Sequence, residues 1–213
     1  MKRRQLLKNL GLGGVALVAT PTVLSILQSC TNEPDFTPNF LSVNHGKALR
    51  HMVDLIIPSD EVIPGAVDVG VHEFIDNYWA EVTDLEDQKP IELGFNAIET
   101  QLESITGKTF ENAKAEHYDQ VLAKYLRTTP EQDQTFREKL GQFYQAYQKD
   151  KTVTPDPEAG AYSLANNVRG MTIWGWKASE KIGEDVLAYE PIPGQQIGCL
   201  PVSEATGGKV YSL

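Results

Sequence analysis

LEDQKPIELGFNAIETQLESITG, residues 85–107, is the stretch that decides the fold of this chain. Ile91, Phe95, Ile98, Leu102 and Ile105 recur every three or four residues, which gathers them on one face of an α-helix. A strand would need every second position apolar. Gly107 follows the last of them, where a helix is best closed. The same period runs outward in both directions. Upstream, His45 to Ile57 lines up Leu49, Met52, Val53 and Ile56 until Pro58 stops it, and a helix restarting near Val71 carries Val71, Phe74, Ile75 and Tyr78 or Trp79 inward. Downstream, Glu111 to Leu126 offers Val121, Leu122 and Tyr125. Thr129-Pro130-Glu131-Gln132 then opens a helix with an N-cap Thr, Pro in the first position and Gln in the third. That helix carries Phe136, Leu140, Phe143, Tyr144 and Tyr147, and a last one covers Ala159 to Lys181. Alternating apolar runs and hairpin turns are missing, so the expectation is an all-α domain of five to seven helices, residues 41–213.

The domain ends in a different texture. From Tyr189 on, Pro191, Pro193, Gly194, Gly198, Pro201, Gly207 and Gly208 oppose regular structure, while Ile192, Ile197, Leu200 and Val202 keep the segment partly apolar. Such a strap packs along a surface, its own or a partner's. Pro58-Ser59-Asp60-Glu61-Val62-Ile63-Pro64-Gly65-Ala66 reads as a loop between two helices.

The N-terminus carries targeting information. Lys2-Arg3-Arg4-Gln5-Leu6-Leu7-Lys8, with Arg3, Arg4, Leu6 and Leu7 as its key positions, resembles the twin-arginine export motif. A weakly apolar run follows, interrupted by Gly11, Gly13, Gly14 and Pro21. It closes on Leu27-Gln28-Ser29-Cys30, which looks like a lipobox with Cys30 as the lipidated residue. Residues 1–29 are therefore expected to be a removable leader and 30–40 a tether. A retained membrane-spanning helix and ordinary secretion are the rival readings, since 18 uncharged residues approach a spanning length. Two or three acyl chains on one cysteine anchor stably, as a single chain does not.

Charge narrows the partners. The leader holds four of the 19 lysines and arginines (Lys2, Arg3, Arg4, Lys8), and all 29 acids lie beyond it. Without those four cations the formal net charge moves from −10 to −14. No nucleic acid partner is expected of so acidic a domain, nor attachment to anionic lipid by charge.

Catalytic patterns are sparse. His72-Glu73-x-x-Asp76 offers only a partial metal pattern, and His45, His51, His72 and His117 are scattered. There is no Gly-x-Ser-x-Gly elbow, no glycine-rich phosphate loop and no haem-attachment motif. The reading is no catalytic, cofactor or metal residue in this chain. Asp60, Glu61 and Asp68 flank that loop and are expected to cap the neighbouring helix and face water, with paired carboxylates as the rival reading. Cys199 reads first as a buried thiol and second as a contact or disulfide with a partner. Trp174-Gly175-Trp176 reads as core, or as an anchor if exposed.

Leu55-Ile56-Ile57-Pro58-Ser59-Asp60, Pro64-Gly65-Ala66, Gly70-Val71 and Phe74-Ile75-Asp76 together resemble the gluconate 2-dehydrogenase subunit 3 family. The ending Trp174-Gly175-Trp176, Tyr189-Glu190-Pro191-Ile192-Pro193-Gly194 and Gly198-Cys199-Leu200-Pro201 looks like its lipoprotein members. The resemblance implies a small accessory subunit of a membrane-associated dehydrogenase of the glucose-methanol-choline (GMC) type. The partner flavoprotein would hold the FAD and a cytochrome c subunit would take the electrons. It also implies partner contacts around Pro58, Pro64, Gly65, Trp174, Trp176, Pro193, Gly194 and Cys199. A leader for folded cargo on a cofactor-free chain makes sense if the cofactor travels in that partner. A stand-alone lipoprotein binding module is the alternative, and an enzyme in its own right comes third.

Overall fold

The computed structural model describes residues 36–192, 194 and 198–212. The leader, Cys30 and Pro193 lie outside the described residues. Among the described residues eight helices run in order: α1 Val43–Ile56, α2 Val71–Glu81, α3 Leu85–Thr106, α4 Ala115–Leu126, α5 Pro130–Lys149, α6 Pro157–Ala178, α7 Glu180–Asp185 and α8 Val202–Thr206. Among the described residues there is no strand, only an isolated parallel bridge between Ala188 and Tyr211. The all-α expectation holds, with one helix more than its upper bound.

The two additions have local causes. The expected helix 159–181 breaks at Ser179, whose backbone is extended and whose hydroxyl donates to the Trp176 carbonyl at 2.8 Å. The chain then restarts as α7, with Ser179 at its N-cap. In the tail, Pro201 precedes and Gly207 closes the single turn α8, with Gly207 at φ 62°. This is the usual asymmetry of proline before a helix and glycine after it, and it overrides the irregularity expected there. The expected start of α4 at Glu111 also moves, to Ala115. Residues 109–113 form a separate turn on the Thr109 carbonyl, which sinks Phe110 into the core.

The heart of the domain is the pairing of α3 with α6, the two longest helices. Small residues let their backbones approach. A Cβ on Gly160 would stand 2.9 Å from the Ala97 Cβ, and one on Gly94 would stand 3.0 Å from the Leu164 Cβ. Phe95, Ile98 and Leu102 of α3 are wholly buried, together with Leu49, Met52 and Val53 of α1, Ile75 and Trp79 of α2, and Tyr125 of α4. Apolar burial of this kind contributes roughly 1.5–3 kcal/mol per large side chain and is the main force holding the helices together.

Caps and clasps set the directions. The Thr129 hydroxyl accepts from the Gln132 N–H at 3.3 Å, while the Gln132 side chain accepts from the Thr129 N–H at 2.9 Å, the reciprocal box expected at α5. The Gln88 side chain donates to the Trp79 carbonyl at 2.9 Å, joining the end of α2 to the start of α3. Midway along α2, the Asp76 carboxylate, 1% exposed, accepts the backbone N–H groups of Asn39 at 2.5 Å, Leu41 at 2.9 Å and Phe40 at 3.3 Å. Asn39 also donates its side-chain amide to Asn77 at 2.6 Å. The incoming chain is thereby fastened to α2 before α1 begins.

Candidate functional site

Three surfaces stand out, and each begins in a local sequence feature. The first is the loop after α1. Asp60 folds it by accepting the N–H groups of Val62 and Ile63, both at 2.7 Å, and these donors hold its carboxyl below the usual range. Asp68 accepts from the Ser59 hydroxyl and from the Gly65 N–H, which lower its pKa likewise. Asp60 and Asp68 are thus turn-builders facing water, and Glu61 is exposed beside them. Gly65 is buried: a Cβ there would sit 2.5 Å from the Ser59 nitrogen and 2.8 Å from the Pro58 carbonyl carbon. It shapes the loop and leaves Pro58, Glu61 and Val62 to present it.

The loop is joined to the tryptophan pair. The Trp176 indole N–H donates to the Pro64 carbonyl at 2.9 Å across 112 positions of sequence. Four of the expected contact residues, Pro58, Pro64, Gly65 and Trp176, therefore meet in one place. Trp174 points elsewhere. It is 42% exposed and packs edge-on to Phe74 at 5.1 Å and Tyr78 at 5.5 Å. Gly175 between the tryptophans brings α6 onto α2, where a Cβ would stand 2.9 Å from the Phe74 ring. Phe74, expected inward, lies at the rim and is 36% exposed.

The second surface is a groove of about 250 Å³ between the end of α2 and helices α3, α5 and α6. Tyr78, Ile91, Leu140, Phe143, Tyr144 and Met171 line it, and Gly94 and Gly160 deepen its floor by lacking side chains. Tyr144, expected on the apolar face of α5, stands 43% exposed at its edge. Thr83, Asp87, Ser163 and Asn167 add polar groups to a lining that is otherwise mostly apolar and aromatic.

The third surface is the strap. The Ala188 N–H donates to the Val210 carbonyl at 2.9 Å, and the Ser212 N–H to the Ala188 carbonyl at 3.0 Å, so the strap leaves and returns at one point. Between them, Tyr189, Ile192, Leu200, Val202 and Tyr211 are exposed, Ile192 at 84%. Gly194 and Cys199 are exposed with them, which corrects the reading of Cys199 as a buried thiol. Its backbone is left-handed, at φ 56°. The apolar pegs do not fill this domain's own core.

The partial metal pattern resolves into structure. Both oxygens of Asp76 face backbone N–H groups, and His72 is buried on the inward side of α2. Among the described residues no group of three or more His, Cys, Asp or Glu is placed to hold a metal ion. No helix among them is long and apolar enough to cross a membrane.

Residues 44–194 match the family of gluconate 2-dehydrogenase subunit 3. The chain belongs to that family. The match runs from α1 through α7 into the strap and so takes in the loop, the tryptophan pair and the groove together. No curated protein and no solved structure matches the chain. By the family's description, this chain is a subunit of a multi-subunit dehydrogenase. Residues that periodicity overlooked are Asp76 and the Phe74–Tyr78 rim. The second left a trace in the sequence, two aromatics four apart and offset from the inward row Val71, Ile75, Trp79.

Proposed function

We propose that this chain is the non-catalytic small subunit of an FAD-dependent dehydrogenase of the GMC type. It assists the folding of the flavoprotein subunit, carries it across the inner membrane by the twin-arginine route, and holds it on the periplasmic side through lipid on Cys30. The FAD belongs to the partner, and a cytochrome c subunit receives its electrons. The observation that carries this reading is the family match over residues 44–194. The strap supports it: exposed Tyr189, Ile192, Leu200, Val202 and Tyr211 on a closed loop form an apolar arm that a larger subunit can cover. The fixed loop around Pro58 and Pro64 adds a rigid second contact, and Gly194 and Cys199 lie on the arm itself.

The test is a mild-detergent pull-down of the tagged full-length protein from native membranes, read by mass spectrometry and flavin absorbance. A stoichiometric yellow flavoprotein lacking its own leader is the expected result. A colourless, partner-free lipoprotein under conditions that preserve other complexes would refute the subunit role and leave a stand-alone binding module.

A further inference from the structure

The Phe74–Tyr78–Trp174 cluster is separate from the strap and the loop, and its chemistry differs from theirs. The rings pack on one another, Phe74 to Trp174 at 5.1 Å, Tyr78 to Trp174 at 5.5 Å and Phe74 to Tyr78 at 6.0 Å, with Ile173 beside them 45% exposed. An indole and a phenol are apolar bodies with polar tips, the combination that settles at the headgroup level of a bilayer.

What singles out lipid as the occupant is where the chain leaves the domain. Asp76 and Asn77 fasten Asn39 to α2, the helix that carries Phe74 and Tyr78. At about 100° per residue, Asp76 lies on the far side of α2 from Phe74 and Tyr78, a separation of about one helix width, ~10 Å. Only eight residues, 31–38, lie between Cys30 and Asn39, a reach of at most ~30 Å even fully extended. We infer that the cluster rests in the interfacial layer of the membrane to which Cys30 is tethered. This inference depends on the lipid anchor proposed above.

A short tether supplies the energetics. It holds the cluster at an effective concentration in the millimolar range, so a weak interfacial affinity is enough to keep it engaged. Charge specifies the lipid. Glu73 and Glu81 on α2 and Arg169 and Lys177 on α6 flank the cluster in sequence, a mixed set with no cationic excess. The surface therefore suits zwitterionic headgroups, and the acidic domain as a whole would be repelled by anionic ones.

The experiment reconstitutes the full-length lipidated chain into phosphatidylcholine vesicles with brominated acyl chains and reads tryptophan emission. Of the three tryptophans, Trp79 is 2% exposed and Trp176 is bonded to Pro64, so Trp174 is the one the lipid reaches. Vesicle-bound protein is expected to lose about a third of its emission relative to unbrominated vesicles. Trp174→Phe is expected to float with the vesicles as before and to show no bromine quenching. Flotation without quenching, or equal quenching in Trp174→Phe, overturns the inference while the anchor stands. Loss of quenching once the flavoprotein is added to the vesicles also overturns it and assigns the cluster to that subunit. Failure to float, with no lipid on Cys30 by mass spectrometry, removes the anchor and the inference together.

Discussion

Replacing Asp76 by Asn isolates the clasp on which the chain's entry depends. The carboxylate offers two oxygens, and the strongest demands on them come from the N–H groups of Asn39 at 2.5 Å and Leu41 at 2.9 Å. An amide has only one acceptor, so whichever way it turns, one backbone N–H faces another N–H. A hydrogen bond to a charged group contributes about 1.5–3 kcal/mol, and the bond that survives loses its charge assistance. Water can reach the Asn39 end, which is only part-buried, but not the Leu41 end, which is 7% exposed. The expected loss is about 2–3 kcal/mol, a fall in melting temperature of about 4–12 °C for a domain of this size. Urea denaturation of the full chain in mild detergent reads the total. Hydrogen exchange reads the locality: the amides of Phe40 and Leu41 should exchange roughly 30–100-fold faster. Asn77→Ala, which removes only the exposed side-chain bond to Asn39, should stay within about 0.5 kcal/mol of the parent. Asp76→Asn matching that control, with unchanged exchange at Leu41, would show that the buried carboxylate does not hold the segment.

Two further outcomes follow from the packing and the charges. Gly65→Ala should cost about 1–3 kcal/mol, because its Cβ meets backbone of Pro58 and Ser59 that cannot rotate away. Gly175→Ala, whose Cβ meets the Phe74 ring and the Val71 methyl, should be close to neutral, since those side chains can yield and Ala favours the helix by about 1 kcal/mol; thermal melts giving the reverse order would refute the contact argument. Acid should weaken the domain through Asp133, held below the usual carboxylate range by hydroxyl donors from Tyr162 and Thr128 and by Arg137, and through Asp68, held by Ser59 and Gly65. Between the folded pKa and the unfolded value near ~3.9 the folded state binds fewer protons, so this stability is complete above the ordinary range and disappears as pH falls through the folded values. Urea midpoints between pH 7 and pH 3 should show the decline, and Asp133→Asn should flatten it.

The helices were legible because their causes are local. Thr129, Pro130 and Gln132 sit within four residues of one another, and the capping box they spell is the one that forms. Pro58 likewise forecast the end of α1, and the row Phe95, Ile98, Leu102 is buried as its spacing requires. What periodicity missed depends on segments distant in sequence. Asp76 is buried because residues 39–41 descend on it from 35 to 37 positions away, and no helical pattern encodes that approach. Phe74 packs against Gly175, about a hundred positions later, and that contact between α2 and α6 is not written in either helix alone. The split at Ser179 and the turn at Val202 were written locally, in an N-cap serine and a Pro–Gly pair. The length of the first helix and the overall irregularity of the tail concealed them.

The seam between α3 and α6 has a consequence for the order of synthesis. Gly94 meets Leu164 and Ala97 meets Gly160, so the core cannot close until α6 has been made. The leader proposed for residues 1–29 would be displayed long before that moment. At translation rates of ~5–20 residues per second, the interval between residue 29 and the end of α6 is about 7–30 s. On the export route proposed above, where only folded cargo passes, the signal announces a protein that is not yet ready. The wait sets a window in which the partner can find it, and the strap, made after α6, becomes available later still.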